Sequence, residues 1–378
     1  MSARIEDVLD GKTICICAGS GGVGKTTTSA AIAVGMAARG LKVAVLTIDP
    51  ARRLADSLGL DELDNEPRRV AAGDFGDSGE SEAAGELWAM MLDPKATFDD
   101  LIDTYSEDAE ARDRVLDNRI YRQISGALAG SQEYMAMEKL YELSTEGDYD
   151  LLILDTPPSR NALDFLDAPQ RVTQFIEGRA MRLFIRPTGF GARVAGRGFG
   201  VVTSVLRRVT GGDLIADLSE FFSAMAGLLG GFRDRADRVE GLLRDDGTTF
   251  LVVTGPAGEP IEEASYLREK LEGGDLALGG VIVNRVHPLI GPTEGSDRSE
   301  EAVAALSRKR GGVGDAELAA RIVAAAENHH TLASRDRRNI DELAARAEGV
   351  PLIEVPELSD EIHDIEGLTA LGRHLFGD

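Results

Sequence analysis

Cysteine is nearly absent from this chain, with only Cys15 and Cys17 among 378 residues. The two lie two positions apart in an apolar run, so the chain has neither a disulfide framework nor a CxxC motif for zinc. Side chains two apart on a strand point the same way, and a buried strand offers them no third ligand. We therefore expect both thiols to act as small, buried hydrophobic side chains.

Positive charge is also scarce. The chain has 41 Lys and Arg against 65 Asp and Glu, which gives a formal net charge of −24. A surface of that sign repels nucleic acid and acidic membranes, and we expect neither as a partner. The sequence has no apolar run of about 18 residues, no signal-peptide core near its start, and no basic face on its last helical segment. These absences predict a cytoplasmic protein without a stable membrane anchor.

Glycine, by contrast, is plentiful, and four of the 43 glycines fall within six positions of the stretch that carries the main functional prediction. Residues 14–29 read ICICAGSGGVGKTTTS, an apolar run followed by a glycine-rich turn and the start of a helical pattern. This order matches the Gly-x-x-x-x-Gly-Lys-Thr phosphate loop, the Walker A motif, in its usual strand–loop–helix setting. The residues predicted to contact the phosphates of a nucleotide are Gly19, Ser20, Gly21, Gly22, Val23, Gly24, Lys25, Thr26 and Thr27.

The residue types in this loop follow from the ligand. Glycine lets backbone N–H groups come close to phosphate oxygens, and the N-terminus of a helix adds a positive dipole end. Lys25 is predicted to reach the β- and γ-phosphates, and Thr26 is predicted to bind Mg²⁺. The sequence therefore predicts that the chain binds ATP and Mg²⁺.

Two acidic residues follow apolar runs elsewhere in the chain. LKVAVLTI is followed by Asp49, and YDLLILD ends in Asp155. Parallel sheets bind ligands at the carboxyl ends of their strands, where both acids are expected. Aliphatic residues before Asp155 form a Walker B pattern, whose carboxylate acts on Mg²⁺ through water. Asp49 is predicted to act on the same metal through water, to cap the next helix, or to do both.

Near-continuous apolar strands that alternate with helical patterns predict an α/β fold, with a mostly parallel sheet flanked by helices. We expect one P-loop NTPase domain over residues 1–378, with helical insertions at about 98–148 and 160–245 that form an inserted subdomain. An apolar stripe in the second insertion either packs as a small core or lines a groove for an apolar client.

The boundaries of the predicted elements follow from the same patterns. Strands are predicted over residues 14–18, 41–48, 87–92, 149–155, 250–254, 279–284 and 350–355. Helices are predicted from Lys25, from about Ala51, and over residues 98–143, 261–271 and 365–376. Exposed loops are predicted at residues 73–86 and 291–314.

Five segments resemble a known family when they are taken together and in order. They are GSGGVGKTTT, DPARRLADSLG, DTPPSRNALDFLDAP, VIVNRVHP and VPLIEVPELSDEIHDIEGL. They are similar to the arsenite-pump ATPases and to the related cytosolic ATPases that target tail-anchored membrane proteins. The resemblance implies a dimeric switch that depends on ATP and Mg²⁺, with two mobile switch segments and a helical region for a hydrophobic or membrane-protein client.

The resemblance also implies roles for individual residues. Asp49 matches the switch I acid that orients the attacking water, and Asp155 matches the switch II acid near Mg²⁺. Asn284 matches the asparagine that recognises adenine. Residues 356–361, which begin with Pro356, match the segment that closes over the base.

The chain departs from the family pattern at three places. The family has a deviant Walker A loop with a lysine that crosses the dimer interface to the nucleotide of the partner, and this chain has Ser20 there. The Thr-Gly-His of switch II in the targeting ATPases is replaced by Ser159, Arg160 and Asn161, of which Arg160 is a candidate substitute charge donor. The thiols that bind arsenite or zinc in the family are absent.

Several functions are compatible with these residues. The leading hypothesis is an ATPase, as a homodimer or a heterodimer with a lysine-bearing paralogue, that couples nucleotide state to a protein or hydrophobic client. The second is a weakly catalytic regulatory subunit of a heterodimeric ATPase, suggested by Ser20. The third is a positioning ATPase of the partition or septum-placement type, which the acidic charge disfavours. An arsenite-pump subunit is the fourth, which the cysteine count disfavours.

Overall fold

Eight strands form one sheet in the computed structural model, which describes residues 3–49, 52–71, 85–119, 121–122, 132–157, 221, 228, 231, 233–289, 314–347 and 349–377. The strands are β1 (Ile14–Ala18), β2 (Lys42–Thr47), β3 (Arg68–Arg69), β4 (Glu86–Met91), β5 (Leu151–Asp155), β6 (Thr248–Thr254), β7 (Leu278–Val286) and β8 (Leu352–Pro356). Their order across the sheet is β3-β4-β2-β5-β1-β6-β7-β8. Neighbouring strands are parallel except for β3 and β4, which are antiparallel.

Helices cover both faces of this sheet. They are α1 (Ile5–Leu9), α2 (Lys25–Ala38), α3 (Arg53–Ser57), α4 (Pro94–Tyr105), α5 (Ala109–Leu116), α6 (Gln132–Glu146), α7 (Gly258–Gly273), α8 (Gly314–Arg346) and α9 (Ile365–Phe376). Residues 233–243 are also helical. None of the helices in the described part of the chain combines the length and apolar content that a membrane span requires.

The central strands are mainly apolar because helices cover them on both sides. Every residue of β1 and of β5 is buried. One core cluster packs one face of the sheet against α4, α6 and α7, and a second packs the other face against α1, α2 and α9. Parallel sheets that are buried on both faces read as continuous apolar runs in the sequence. The predicted P-loop NTPase fold, mostly parallel and flanked by helices, is therefore confirmed.

Strand register brings three carboxyl ends level with one another. Cys17 of β1 and Thr47 of β2 both pair with Asp155 of β5. The end of β5 therefore lies between the phosphate loop that follows β1 and the residues that follow β2. This edge of the sheet is where the candidate site forms.

Both cysteines are free and buried, as predicted. The hydrogen bond with Cys17, together with burial, raises the pKa of the Cys15 thiol. A thiol whose pKa is raised is a poor nucleophile and a poor metal ligand at neutral pH.

The structure differs from the sequence prediction at α8, a helix of 33 residues that was not predicted. Of residues 321–332, only Val323 and His329 are even partly buried, so most of this part faces solvent on all sides. A helix exposed all round carries no apolar stripe by which its period can be read. The predicted loops at 73–86 and 291–314 lie almost entirely outside the described residues.

Within the described residues, the first helical insertion is divided into α4, α5 and α6, with residues 119 and 121–122 also helical, rather than forming one continuous pattern. The side chain of Asp93 accepts from the N–H groups of Lys95 and Ala96 at the start of α4, and the Asp108 side chain accepts from the N–H of Ala111 at the start of α5. Each cap fixes a helix start that apolar periodicity does not show.

Most of the second predicted insertion, residues 160–245, lies outside the described part of the chain. Its described residues join the main core. Phe221 is buried and stacks on Tyr121, with ring centroids 6.4 Å apart, and Arg235 Nε donates to Glu138 of α6 at 2.7 Å. A client-binding role for this insertion stays a prediction.

Packing between α2 and α9 leads to a stability prediction. A Cβ added to Gly35 of α2 would meet the ring of the buried Phe376, whereas one added to helical Gly241 would meet nothing within 4 Å. Overpacking typically costs about 1–3 kcal/mol, and replacing an unhindered helical glycine by alanine gains about 0.5–1 kcal/mol. We expect Gly35→Ala to lower the free energy of unfolding and Gly241→Ala to raise it, both measured by urea denaturation.

The double variant Gly35→Ala with Phe376→Leu tests the cause. The smaller leucine should make room for the new methyl group and recover part of the loss that the single glycine variant suffers. Additive losses in the double variant, or a stabilising Gly35→Ala, would contradict the assigned contact.

Candidate functional site

The predicted phosphate loop forms the turn between β1 and α2. Gly22 and Gly24 have φ angles of 79° and 92°, in the left-handed region that glycine adopts without a steric penalty. Gly19 lies against the carbonyl of Val253 on β6, and Gly24 lies against the side-chain amide of Asn284, so a Cβ at either glycine would collide with its neighbour. The loop is therefore held closely by β6 on one side and by the end of β7 on the other.

Lys25 is buried at the start of α2, and its Nζ donates to the backbone carbonyl of Ser20 at 2.8 Å. Burial lowers the pKa of Lys25, and the nearby Asp155 and Asp49 oppose that shift. The ammonium thus lies inside the loop, folded back on the loop's own backbone, where phosphate oxygens would replace the Ser20 carbonyl as its partners.

Asp155 is the most deeply buried carboxylate of the site. Its Oδ2 accepts hydrogen bonds from Thr26 Oγ1 at 2.6 Å and from Thr47 Oγ1 at 3.0 Å, whereas Oδ1 is buried without a hydrogen-bond partner among the described residues. Burial raises the pKa of Asp155 to about 6, against the opposite effects of the two hydroxyls and of Lys25.

Asp49 lies just past the end of β2, close to the same carboxylate. It is half-buried, and its backbone N–H donates to Thr47 Oγ1 at 3.2 Å. Thr47 therefore contacts both acids, one through its hydroxyl hydrogen and the other through its hydroxyl oxygen. Thr47 is not among the site residues predicted from the sequence, although a hydroxyl at the last position of a buried strand marks an edge where ligands bind.

A cleft of about 410 Å³ opens beside the phosphate loop. Its lining includes Gly24 and Thr27 of the loop and helix α2, Asn284 at the end of β7, and Pro356 at the end of β8. Residues 357–363, which follow β8, line its outer wall. The structure thus brings the two residues assigned by resemblance to the base into one cleft that adjoins the phosphate loop.

Most of the predicted site residues lie together at one edge of the sheet. The phosphate loop, Lys25, Thr26, Asp49 and Asp155 meet at one sheet edge, next to the cleft that Thr27, Asn284 and Pro356 line. Arg160, the candidate charge donor, lies outside the described residues.

The residues at this edge fit a hydrated Mg²⁺ ion. The unpartnered Asp155 Oδ1 is an acceptor without a donor, and the water shell of a magnesium ion supplies donors. No group of three His, Cys, Asp or Glu side chains in the described residues is arranged to hold a metal by itself. In magnesium sites, one or two protein oxygens, waters and substrate phosphates commonly share the ion.

A parallel sheet with a glycine loop between a central strand and a helix, and with Asp155 beside Thr26, defines a P-loop NTPase fold. Comparison with models of protein families shows which family of P-loop NTPases this is. The model of the anion-transporting ATPases matches residues 12–292. The chain belongs to this family, whose members are ATPases.

Individual relatives support the same assignment. The chain is 25% identical to ATPase GET3A of Arabidopsis thaliana over 287 residues, which cover 75% of the chain and 70% of that protein. It is 28% identical to ATPase GET3 of Lachancea thermotolerans over 280 residues, or 71% and 70% of the two chains. It is 26% identical to ATPase ARSA2 of Chlamydomonas reinhardtii over 289 residues, or 75% and 70%. The family resemblance read from the sequence is confirmed.

The raised pKa of Asp155 leads to a prediction for the nucleotide-free protein. The carboxyl binds its proton more tightly in the folded state than in the unfolded state. The stability that this carboxyl contributes is therefore fully present below pH 4 and is lost as the pH rises through about 6. A shift from 3.8 to about 6 corresponds to about 3 kcal/mol. Asp155→Asn removes the buried charge, so its free energy of unfolding should exceed that of the wild type by up to about 3 kcal/mol at pH 8, with no gain near pH 4.

Urea denaturation at several pH values checks this, with Asp148→Asn as a control because the Asp148 side chain is fully exposed. The control should differ little from the wild type at any pH. A stability difference for Asp155→Asn that does not change with pH would contradict the buried-charge explanation.

Proposed function

We propose that this chain is a Mg²⁺-dependent ATPase that works as a dimeric switch. The observation that carries the proposal is the meeting of Lys25, Thr26 and Asp155 at one sheet edge, beside a cleft of a size suited to a nucleoside. Each of these groups matches a part of phosphoryl-transfer machinery in P-loop NTPases.

Each residue has a distinct role in this proposal. The loop glycines let backbone N–H groups bind the β- and γ-phosphates, and Lys25 exchanges the Ser20 carbonyl for phosphate oxygens. Asp49 orients the attacking water and accepts from it during attack. Asn284 and the Pro356 segment bind adenine in the cleft. Thr26 and Asp155 would hold the Mg²⁺ ion, which neutralises charge on the phosphates.

The coupled process is proposed from the family resemblance. Nucleotide state would control how two subunits meet, and the helical insertion would bind a hydrophobic or membrane-protein client in the cytoplasm. The second candidate, a weakly catalytic subunit of a heterodimer, is favoured by Ser20. Its Oγ is buried with no hydrogen-bond partner among the described residues, and it carries no charge for the nucleotide of a partner.

Two variants separate nucleotide binding from hydrolysis. Lys25→Ala removes a charge-assisted contact worth about 1.5–3 kcal/mol, so we expect the dissociation constant for ATP to rise about 10- to 100-fold. Asp49→Asn should leave that constant within about 3-fold and lower turnover by about 10²- to 10⁴-fold, since a positioned base acts in the transition state. Titration calorimetry and phosphate release measure the two quantities.

Lys95→Ala is the matched control, because Lys95 pairs with Asp99 on the surface of α4. It should change neither quantity. A comparable loss of ATP affinity in the Lys25 and Asp49 variants would remove Asp49 from its catalytic role.

Ser20 allows a separate prediction about the assembly. A charge donor supplied across an interface is worth about 10³- to 10⁵-fold in rate, and a serine supplies no such charge. The purified homodimer should therefore hydrolyse ATP slowly, and Ser20→Lys should raise its turnover at least about 10-fold. Steady-state phosphate release at saturating ATP checks this.

The variant Arg160→Ala tests the other source of charge. Fast hydrolysis by the unmodified homodimer that collapses only in the Arg160 variant would refute the need for a lysine-bearing partner. It would assign the missing charge to Arg160.

A further inference from the structure

The end of β7 carries an irregularity next to the phosphate loop. Val283 pairs with Glu354 of β8, and Val286 pairs with Pro356, so two residues of β7 lie opposite the single Val355. Such a bulge redirects side chains that a regular strand would send to alternate faces. The two bulge residues are Asn284 and Arg285.

Arg285 has a φ of 61°, in the left-handed region that is unfavourable for a residue with a Cβ. Among the described non-glycine residues, only Asp275 shares a positive φ, at 57°. Sparsely populated backbone conformations of this kind concentrate at functional sites. The contacts of the Arg285 side chain therefore indicate why the backbone adopts this conformation.

The bulge sends two consecutive side chains to two consecutive carbonyls of the phosphate loop. Asn284 Nδ2 donates to the carbonyl of Val23 at 2.9 Å, and Arg285 Nη1 donates to the carbonyl of Gly22 at 3.3 Å. The N–H of Arg285 donates to Asn284 Oδ1 at 3.0 Å, which fixes the orientation of that amide.

These hydrogen bonds determine where the loop directs its N–H groups. In a trans peptide the carbonyl and the following N–H point in opposite directions, and the described residues contain no cis bond. Holding the carbonyls of Gly22 and Val23 toward β7 therefore turns the N–H groups of Val23 and Gly24 away from β7. Phosphate loops bind polyanions through N–H groups of this kind.

The charges that line the cleft support a role for Arg285 in the binding of an anion. Three carboxylates line the cleft, those of Glu357, Asp360 and Glu361. The exposed guanidinium of Arg285 lines it too. Without Arg285, a nucleotide would approach a wall that is mainly acidic.

We propose that Arg285 is a positioning residue for the nucleotide, one that acts through the phosphate loop. With Asn284 it anchors the Gly22 and Val23 carbonyls and so presents the loop N–H groups to the triphosphate. This rests on the proposed ATP site, but it assigns a function to a residue that neither the loop motif nor the base cleft accounts for.

The deciding variant is Arg285→Gly, because glycine tolerates the left-handed backbone and removes only the side chain. Loss of one charge-assisted hydrogen bond should raise the dissociation constant for ATP about 10-fold in calorimetry, with an unchanged or higher melting temperature. Asp275→Gly is the matched control, since it relieves the same φ at an exposed turn before β7. It should keep wild-type affinity.

Two further measurements test the positioning role, and the second, the salt dependence, separates it from simple attraction of charge. Arg285→Lys retains a donor for Gly22 and should bind ATP within about 3-fold of the wild type. Direct attraction to the nucleotide would be screened by salt, whereas a hydrogen bond within the protein would not. The ratio of the Arg285→Gly and wild-type constants should therefore be the same at about 0.05 M and 0.5 M salt.

Three results would overturn the inference while leaving ATP binding intact. They are an Arg285→Gly variant that binds ATP as the wild type does, an Arg285→Lys variant as weak as the glycine variant, and a ratio that approaches one at high salt. A wild-type chain that binds no ATP would instead overturn the proposed function itself.

Discussion

The hydrogen bonds that Asp155 accepts from Thr26 and Thr47 join three elements at one point. Thr26 lies in the first turn of α2, Thr47 ends β2, and Asp155 ends β5. A buried carboxylate is unfavourable unless it is hydrogen-bonded or paired with a cation. Two hydroxyls satisfy one of its oxygens, and the other oxygen has no hydrogen-bond partner within the described ranges. The protein thus assembles the site and leaves one buried acceptor that the water shell of a bound Mg²⁺ ion would satisfy.

Shape constrains the phosphate loop as strongly as charge does. Gly19 is pressed against the Val253 carbonyl, and Gly24 is pressed against Asn284, so neighbours on β6 and β7 leave no room for a side chain. Because β1 lies between β5 and β6, the loop that leaves it is held by the elements on the β6 side and faces Asp155 on the β5 side. The order of the strands therefore decides which groups can meet the phosphates.

Local patterns were sufficient to predict most of this arrangement. Buried β1 is apolar throughout, β5 is apolar up to its terminal Asp155, and the glycine loop specifies its own strand–loop–helix setting. The acids at positions 49 and 155 could be assigned to one edge because parallel strands end on the same side. Non-local features could not be predicted in this way. The two-residue β3 depends on its partner β4, and the role of Thr47 depends on its register with Asp155.

Arg285 is the clearest example of a residue whose role local sequence patterns do not predict. In the sequence it is one arginine after an asparagine, and nothing local indicates a left-handed backbone there. The bulge is the place between Val283 and Val286 where β7 loses register with β8. It is therefore a property of two strands that lie about 70 residues apart in the chain. Side-chain direction at a bulge follows from pairing, which a single strand does not encode.

The same bulge lies close to a connection between the cleft beside the phosphate loop and α8. His287 follows β7 directly, and its Nδ1 lies 2.6 Å from Asp336, a fully buried carboxylate of α8. Its Nε2 lies 3.2 Å from Glu357, in the segment that lines the cleft. One imidazole therefore contacts both the wall of the cleft and the long helix. Only Val286 separates this imidazole from Arg285, so the bulge, the wall of the cleft and α8 are joined through three adjacent residues of the chain.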